Sequence, residues 1–153
     1  MTDLHCHILP AIDDGAKNAK VSMELLRMQN DAGITDIVCT PHFNPDSQNL
    51  EDFIDKRYRS ARYLADYVFR SELPVRLKFG AEVRISPTIL DLDFLPLCFQ
   101  KTKVMLLEMP RTLRPQWDTN VIYQLTLGGV IPLIAHIERY PYVQKNPNIA
   151  LDW

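Results

Sequence analysis

Strand-like and helix-like segments alternate along this chain, and that alternation limits its fold more than any other feature. Short stretches of apolar, β-prone residues predict five strands, at 1–7, 34–40, 75–83, 103–109 and 130–136. Between them, apolar residues at helical spacing predict helices over 20–32, 50–70 and 115–127, and a shorter helix that opens with Ser86 and Pro87. The alternation predicts parallel βα units, which build either a doubly wound sheet or part of a (β/α) barrel.

The first predicted helix carries both an end signal and a candidate buried face. Val21, Leu25, Met28 and Ala32 repeat at helical spacing, and Gly33 follows as a C-terminal stop. We therefore expect a helix that ends at Gly33 and buries this stripe.

Composition and charge narrow the class of protein. The chain has 153 residues, 46% of them hydrophobic, which is enough for one compact core, so we expect a single domain over 1–153. A net charge of −2 gives no long-range attraction for nucleic acid or anionic lipid. No apolar run approaches the roughly 20 residues of a membrane helix. Three widely spaced cysteines argue against a disulfide framework and indicate a reducing compartment, so we expect a cytoplasmic protein.

Residues that can bind metal ions fall at the ends of the predicted strands. They are His5, His7, His42, Glu82, Glu108 and His136. The carboxyl ends of parallel strands converge on one rim of a βα fold, so residues far apart in sequence are expected to meet in one pocket there. His5 and His7 have strand spacing, which directs both imidazoles to the same face. The loop that follows contributes a carboxylate, and Asp14 is the stronger candidate.

This mixed set of imidazoles and carboxylates predicts a zinc, manganese or iron(II) site rather than a calcium site. Two or more such ions suit hydrolysis of a phosphate ester, because they polarise phosphoryl oxygens and ionise water near neutral pH. Arg139 is placed to hold the phosphate, and Arg111 or Arg114 can do the same from the loop after Glu108.

Each candidate also has a purely structural interpretation. Asp13 and Asp14 can form a turn before Gly15. Glu82 can pair with Arg84 or Arg76, Glu108 with Lys103, and Arg139 with Glu138. Their joint position at strand ends favours the metal site over these separate explanations.

Two other phosphate chemistries are excluded by the sequence. A cysteine-dependent phosphatase needs an arginine six residues after its nucleophile, but Ile12, Pro45 and Val104 occupy those positions after the three cysteines. The glycine-rich nucleotide motifs GxxxxGK[ST] and GxGxxG are also missing.

Five segments together resemble the PHP (polymerase and histidinol phosphatase) superfamily: DLHCHILPAIDDGAKN, CTPHF, GAEVRI, LLEMP and PLIAHIERY. Within it the chain is most similar to bacterial capsular-polysaccharide tyrosine-protein phosphatases of the CpsB/YwqE type. The resemblance implies a distorted, TIM-like (β/α) barrel with a manganese-preferring site of two to three ions, with Fe²⁺ or Zn²⁺ as alternatives. It also implies hydrolysis of phosphotyrosine on a partner protein, a bacterial tyrosine kinase that controls exopolysaccharide export.

The resemblance also implies a role for each residue. The metal ligands would be His5, His7, Asp14, His42, Glu82, Glu108 and His136, with Glu82 bridging two ions. Arg139, with His136, would act at the phosphate. Members of the family carry a later D-x-H motif that this sequence lacks, so we expect the first five or so βα units and an incomplete set of ligands.

Three alternatives remain open at this point. The same ligand set serves small-molecule phosphoesterases such as histidinol phosphatases. An inactive metal-binding module that docks a kinase or stabilises a homo-oligomer would need no turnover. A nucleic-acid role is disfavoured by the acidic balance.

Overall fold

The structure, a computed structural model, describes residues 1–153. Its strands are β1 (Thr2–Cys6), β2 (Asp36–Cys39), β3 (His42–Phe43), β4 (Arg76–Phe79), β5 (Glu82–Arg84), β6 (Val104–Glu108) and β7 (Ile131–Ile134). Its α-helices are α1 (Ala19–Asp31), α2 (Leu50–Arg70), α3 (Asp118–Leu127) and α4 (Pro141–Lys145). Short 3-10 segments cover Pro87–Asp91, Leu95–Leu97, Ile137–Arg139 and Pro147–Asp152.

Every strand pair is parallel, as the alternation of strands and helices predicted. One sheet has the order β1-β2-β4 and the other has the order β3-β5-β6-β7. β1 pairs only with β2, and β7 only with β6, so the strands form two open sheets. The α/β architecture with parallel pairing is therefore confirmed.

A first break separates β2, which lies within the predicted strand 34–40, from β3, and a second break interrupts the predicted strand 75–83. The two breaks lie side by side. The register is the same on both sides: Cys39 pairs with Phe79, and His42 pairs with Glu82. Pro41 lies in the first break and has no N–H to donate to a neighbouring strand. His42 and Glu82 consequently begin short strands of their own instead of ending long ones, which corrects the prediction.

Gly80 lies in the second break, packed against a side chain. A Cβ atom at this position would lie 2.7 Å from Cδ1 of Phe99, so the site requires glycine. The guanidinium of Arg57 on α2 donates hydrogen bonds to the carbonyls of Gly80 at 2.7 Å and Pro96 at 2.8 Å. These bonds hold the interrupted strand against α2.

Helix α1 lies where the sequence predicted it but buries a different face. The Asn18 side chain caps it by accepting from the Val21 N–H, and Gly33 follows with φ of +80°. The buried residues are Ala19, Ser22, Met23 and Leu26, whereas Met28 is 67% exposed. The predicted stripe of Val21, Leu25, Met28 and Ala32 is therefore wrong, because the helix is rotated by roughly one residue relative to it.

The other helices pack on the same core. On α2, Phe53, Ala61 and Leu64 are buried, and the Asn49 side chain caps the helix by accepting from the Asp52 N–H. The predicted helix at Ser86 is a single 3-10 turn, with Ser86 Oγ accepting from the Thr88 N–H. None of these helices combines the length and the apolar character that crossing a membrane requires.

Candidate metal centre

Apart from the loop residue Asp14, the predicted ligand residues lie at or just beyond the carboxyl ends of β1, β2, β4, β6 and β7. Six of the seven line one open cavity of about 430 Å³: His5, His7, Asp14, His42, Glu82 and His136. Glu108, the seventh, lies beside this cavity, with Oε2 3.9 Å from Nδ1 of His42. We call this group of seven residues the metal centre.

Glu82 is the middle of the metal centre and is only 1% exposed. Its Oε2 atom lies 3.0 Å from His5 Nε2, 2.9 Å from His7 Nε2 and 3.2 Å from His42 Nδ1. Its Oε1 atom lies 2.8 Å from His136 Nε2. All four histidines of the chain therefore converge on one carboxylate.

The spacing of these atoms fits ligands around metal ions. Donor atoms about 2.1 Å from a common ion lie about 3.0 to 3.4 Å from one another. His5 Nε2 and His7 Nε2 are 3.1 Å apart. Glu82 Oε2 is buried, yet none of its close nitrogen neighbours meets it in hydrogen-bond geometry. A buried carboxylate oxygen without a hydrogen-bond donor is costly unless a cation binds it.

The ligand atoms form three overlapping groups, each compact enough to hold an ion. They are His5, His7 and Glu82; His7, Asp14 and His42; and His42, Glu82 and Glu108. Because His7, His42 and Glu82 each belong to two groups, the arrangement suits neighbouring ions that share ligands.

Electrostatics at the metal centre favour positive charge. Burial alone would lower the pKa of His7, but Asp13 and Glu82 outweigh it and raise that pKa to about 10. Burial alone would raise the pKa of Glu82, but the imidazoles of His5 and His7 hold it well below its usual range. The carboxylate stays ionised, and a cation among the imidazoles is stabilised.

The two aspartates of the DDG segment have different roles. Asp14 is 81% exposed, and its Oδ1 lies 3.5 Å from His42 Nε2, so it faces the cavity. Asp13 Oδ2 lies 2.8 Å from His7 Nδ1 and accepts from the His42 N–H at 3.0 Å. Asp13 thus orients two of the predicted ligand residues, a role that was not predicted from the sequence.

A signal for the role of Asp13 was nevertheless present in the sequence. A metal-binding imidazole needs a partner for its second nitrogen, and the nearest loop carboxylate supplies it. The turn interpretation is also correct for Asp13, because its Oδ1 accepts from the Gly15 N–H at 3.0 Å. Gly15 packs tightly here: a Cβ atom would lie 2.1 Å from the His7 carbonyl oxygen.

His136 is held by an unusual backbone and a buried tyrosine. Its φ of +33° is left-handed, which is uncommon for a residue with a side chain. The Tyr140 hydroxyl donates to the Ala135 carbonyl at 3.0 Å and accepts from the Met109 N–H at 2.9 Å. It therefore joins the chain beside His136 to the chain beside Glu108.

The three candidate arginines lie in different places. Arg139 lines the cavity, is 64% exposed, and has Nε 3.8 Å from Glu138 Oε1. Arg111 also lines it, with Nη2 3.3 Å from Glu108 Oε1. Arg114 pairs with Asp118 and Asp152 away from the cavity, each at 2.7 Å, so its predicted role at the phosphate is wrong.

The structural alternatives for the two glutamates do not hold. Arg76 pairs with Asp36 instead of Glu82, and Arg84 has no carboxylate within 4.0 Å. Glu108 contacts Arg111 and not Lys103. All three cysteines are unpaired, and burial raises the pKa of Cys6 to about 12, so its thiol is protonated.

Parallel strands and four imidazoles around a buried glutamate at one rim define a class: α/β proteins with a candidate metal-binding site on the strand rim. The family profile described as "Capsular polysaccharide synthesis, CpsB/CapC" matches residues 1–151. The chain therefore belongs to this family.

Named relatives have similar sequences and one solved structure has the same fold. Tyrosine-protein phosphatase YwqE of Bacillus subtilis is 34% identical over 97% of the chain and 59% of its own length. Putative tyrosine-protein phosphatase CapC of Staphylococcus aureus is 28% identical over 99% of the chain and 60% of its own length. A structure from work on YwqE and on CpsB of Streptococcus pneumoniae, described as unique metal-dependent tyrosine phosphatases, superposes with a TM-score of 0.86 at 34% identity. That superposition covers 97% of this chain and 60% of the other, so the chain spans about three fifths of its relatives.

Proposed function

We propose that residues 1–153 form one metallophosphatase domain of a metal-dependent protein-tyrosine phosphatase that acts in capsular or exopolysaccharide synthesis. The observation that carries the proposal is the convergence of His5, His7, His42 and His136 on the buried carboxylate of Glu82. The names of the similar proteins support the same reaction.

In this proposal, seven side chains hold the metal ions: His5, His7, Asp14, His42, Glu82, Glu108 and His136. The donors are imidazoles and carboxylates without a thiolate, which suits manganese, iron(II) or zinc. Among these we propose manganese, because the resemblance to the family implies it. Their overlapping groups suit two to three ions. Asp13 keeps the His7 ring in place through Nδ1.

Bound ions of this kind polarise the phosphoryl oxygens and lower the pKa of water near neutral pH. The Arg139 guanidinium, on the cavity wall, holds a non-bridging phosphate oxygen. His136, fixed by the backbone around Tyr140, acts beside the reacting phosphate. Glu82 stays ionised and balances the positive charge of the site.

The proposed substrate is a phosphotyrosine protein, and the proposed partner is a bacterial tyrosine kinase that regulates polysaccharide export. The family assignment and the names of the relatives support this choice. Three unpaired thiols are consistent with a reducing compartment, so we propose that the protein acts in the cytoplasm. A homo-oligomer is compatible with this proposal, and nucleic acid is not a proposed partner.

The test is phosphate release from a phosphotyrosine peptide by protein treated with a chelator and then reloaded with manganese. We expect hydrolysis only after reloading, and loss of at least about 100-fold in kcat for His136→Ala. Tyr123→Phe, on an exposed residue of α3, is the matched control and should keep full activity. Equal activity with and without metal would overturn the proposal.

A second candidate is a small-molecule phosphoesterase. The observation in its favour is that the metal cavity has only one hydrophobic lining residue, Cys6, so it offers little apolar surface to a tyrosine ring. Comparing kcat/KM for a phosphotyrosine peptide and for an aliphatic phosphate monoester separates the two. A higher value for the aliphatic ester would select the second candidate, and turnover of either would exclude an inactive docking module.

A further inference from the structure

We propose that a groove beside the metal centre binds a second anionic group on the same phosphopeptide, and so selects among phosphotyrosine sites. This inference rests on the proposed phosphatase function and deepens it. We call the site the arginine groove and define it by His42, Asn44, Gln48, Arg84, Glu108 and Arg111.

The arginine groove adjoins the cavity that would hold the phosphotyrosine. Its volume is about 400 Å³, and His42 and Arg111 line both spaces. A peptide with its phosphotyrosine at the metal centre therefore passes this groove with its neighbouring residues. An extended chain advances about 3.3 Å per residue, so side chains within about three residues of the phosphotyrosine can reach it.

Two guanidinium groups give the groove its charge. Arg84 is exposed at the end of β5 and has no carboxylate partner within 4.0 Å, although its strand neighbour in register is Glu108. Arg111 reaches the groove from the loop after β6 and contacts Glu108 at 3.3 Å. Glu108 belongs to the metal centre, so bound metal ions would neutralise its negative charge. The groove is then left with a net positive charge.

The side-chain amides of Asn44 and Gln48 add hydrogen-bond donors to the groove. Gln48 Oε1 accepts from the Asn44 N–H at 2.6 Å, and Asn44 Oδ1 accepts from the Asp46 N–H at 3.1 Å. Both side-chain amides are thus anchored through their oxygens, and their nitrogens donate to no group of the chain. Two guanidiniums and two free amide nitrogens match an anion with several acceptor oxygens.

The strand that carries Arg84 is held by its neighbours. β5, which carries Arg84, is paired on both sides, with β3 and with β6. Arg84 is the last residue of β5 and lies in register with Glu108 on β6, so a paired strand carries it. Such an anchored position loses less conformational entropy when an anion binds.

The chemistry selects a carboxylate or a phosphate, because both present several acceptor oxygens to an arginine. On the peptide, the carboxylate would come from an acidic residue near the phosphotyrosine, and the phosphate from a second phosphorylated residue. We expect either one to raise kcat/KM by about twofold to fivefold over a neutral residue, which is the effect of charge pairs at a partly exposed site.

The experiment compares peptides of one sequence that carry Gln, Glu or a second phosphotyrosine at each position from three before to three after the target. A preference for Glu identifies carboxylate recognition, and a preference only for the second phosphotyrosine identifies phosphate recognition. In Arg84→Gln this preference should fall to less than twofold. Arg27→Gln, an exposed unpaired arginine on α1, is the matched control and should keep the preference.

Direct binding separates this inference from the proposed function. Fluorescent versions of the peptides with a non-hydrolysable difluorophosphonate in place of phosphotyrosine are titrated against the metal-loaded protein. Absence of hydrolysis for every peptide would contradict the proposed function. If Glu or phosphate still tightens binding, and Arg84→Gln removes the effect, the anion-binding role of the groove is supported independently. Equal affinity for all peptides, or a preference unchanged in Arg84→Gln, would overturn the groove.

Discussion

The buried carboxylate of Glu82 lies within 3.2 Å of imidazole nitrogens from four histidines, which come from both ends of the chain. Neighbouring side chains fix the direction of those imidazoles. Asp13 is the clearest case, because it contacts His7 Nδ1 and the backbone N–H of His42. The proposed metal centre would therefore depend also on residues outside the set of proposed ligands.

Changing Asp13 to asparagine tests this dependence. Asp13→Asn keeps the size of the side chain but replaces an acceptor of the His7 Nδ1 proton by an amide, so we expect manganese affinity to fall about 10- to 100-fold. Calorimetric titration measures the change. Asp66→Asn, on the exposed face of α2, is the control. Unchanged manganese affinity in Asp13→Asn would show that His7 needs no charged partner at Nδ1.

The sequence predicted which residue types would meet, but not every role. His5, His7, His42, Glu82 and His136 were found from their position near strand ends, and they do line one cavity. Asp13 and Tyr140 were missed as positioning residues, because their function depends on backbone groups brought close only by the fold. No spacing rule relates Tyr140 to the Met109 N–H, 31 residues away.

The ends of β6 and β7 are joined through one hydroxyl. Tyr140 is fully buried, and its hydroxyl bonds to the backbone just after Glu108 and just before His136. His136, the residue after the bonded Ala135, has a left-handed backbone conformation. The two strands thus deliver their ligand residues in a fixed relation.

Removing that hydroxyl should weaken both the fold and the metal centre. Tyr140→Phe leaves the Met109 N–H and the Ala135 carbonyl buried without partners, so we expect the free energy of unfolding to fall by about 1 to 3 kcal/mol. Manganese affinity should fall with it, whereas Tyr123→Phe should change neither quantity. Denaturant titration and calorimetry measure the two. Loss of stability without loss of affinity would restrict Tyr140 to a packing role.

Helix α3 is tied to the last residue of the chain by a buried carboxylate. Asp118 accepts from Arg114 Nε at 2.7 Å and from Trp153 Nε1 at 2.8 Å. Burial alone would raise the pKa of Asp118, but these donors outweigh it and the pKa is lowered. The ionised carboxylate therefore stabilises the fold above the ordinary pKa of about 3.9, and this contribution is lost as pH falls through the lower folded-state pKa.

We expect Asp118→Asn to lower the free energy of unfolding by about 1 to 3 kcal/mol near neutral pH. The difference from the unsubstituted protein should be constant down to about pH 5 and should shrink below about pH 4. Urea unfolding at a series of pH values measures it, with the exposed Asp91→Asn as control. A difference that persists unchanged at the lowest pH would contradict the role of the ionised carboxylate.

The interrupted strands show where periodicity fails as a guide to elements. The apolar stretch 75–83 reads as one strand although Gly80 lies within it, and Pro41 directly follows the stretch 34–40. The paired breaks arise because a missing N–H on one strand and a close contact with Phe99 on the other occur at the same level. Such a coincidence depends on which strands are neighbours, which a single segment does not encode.

Across the molecule, the proposed ligands come from β1 and the loop after it, from β3, β5 and β6 in the other sheet, and from His136 just after β7. The register places His42 beside Glu82 in one sheet, while His5 lies on β1 in the other. Bound ions would therefore connect parts of the chain that hydrogen bonds leave in separate sheets. Metal binding and stability of the whole fold should be linked.

Thermal unfolding at increasing manganese concentration tests this link. Each tenfold rise in free manganese above its dissociation constant should add about 1.4 kcal/mol per bound ion, and the Tm should rise accordingly. Excess chelator should return the Tm to its starting value. A Tm that does not respond to manganese would show that the native state holds no ion more tightly than the unfolded chain does.

The most direct test of the metal centre is the number of manganese ions per chain, measured by native mass spectrometry, in the unsubstituted protein and in Glu82→Gln. Glutamine keeps the shape of Glu82 but removes the charge on which four imidazoles converge. We predict at least two ions in the unsubstituted protein, since its ligand atoms form three groups, and fewer in the variant. Equal numbers in both, or no bound ion in either, would contradict the account.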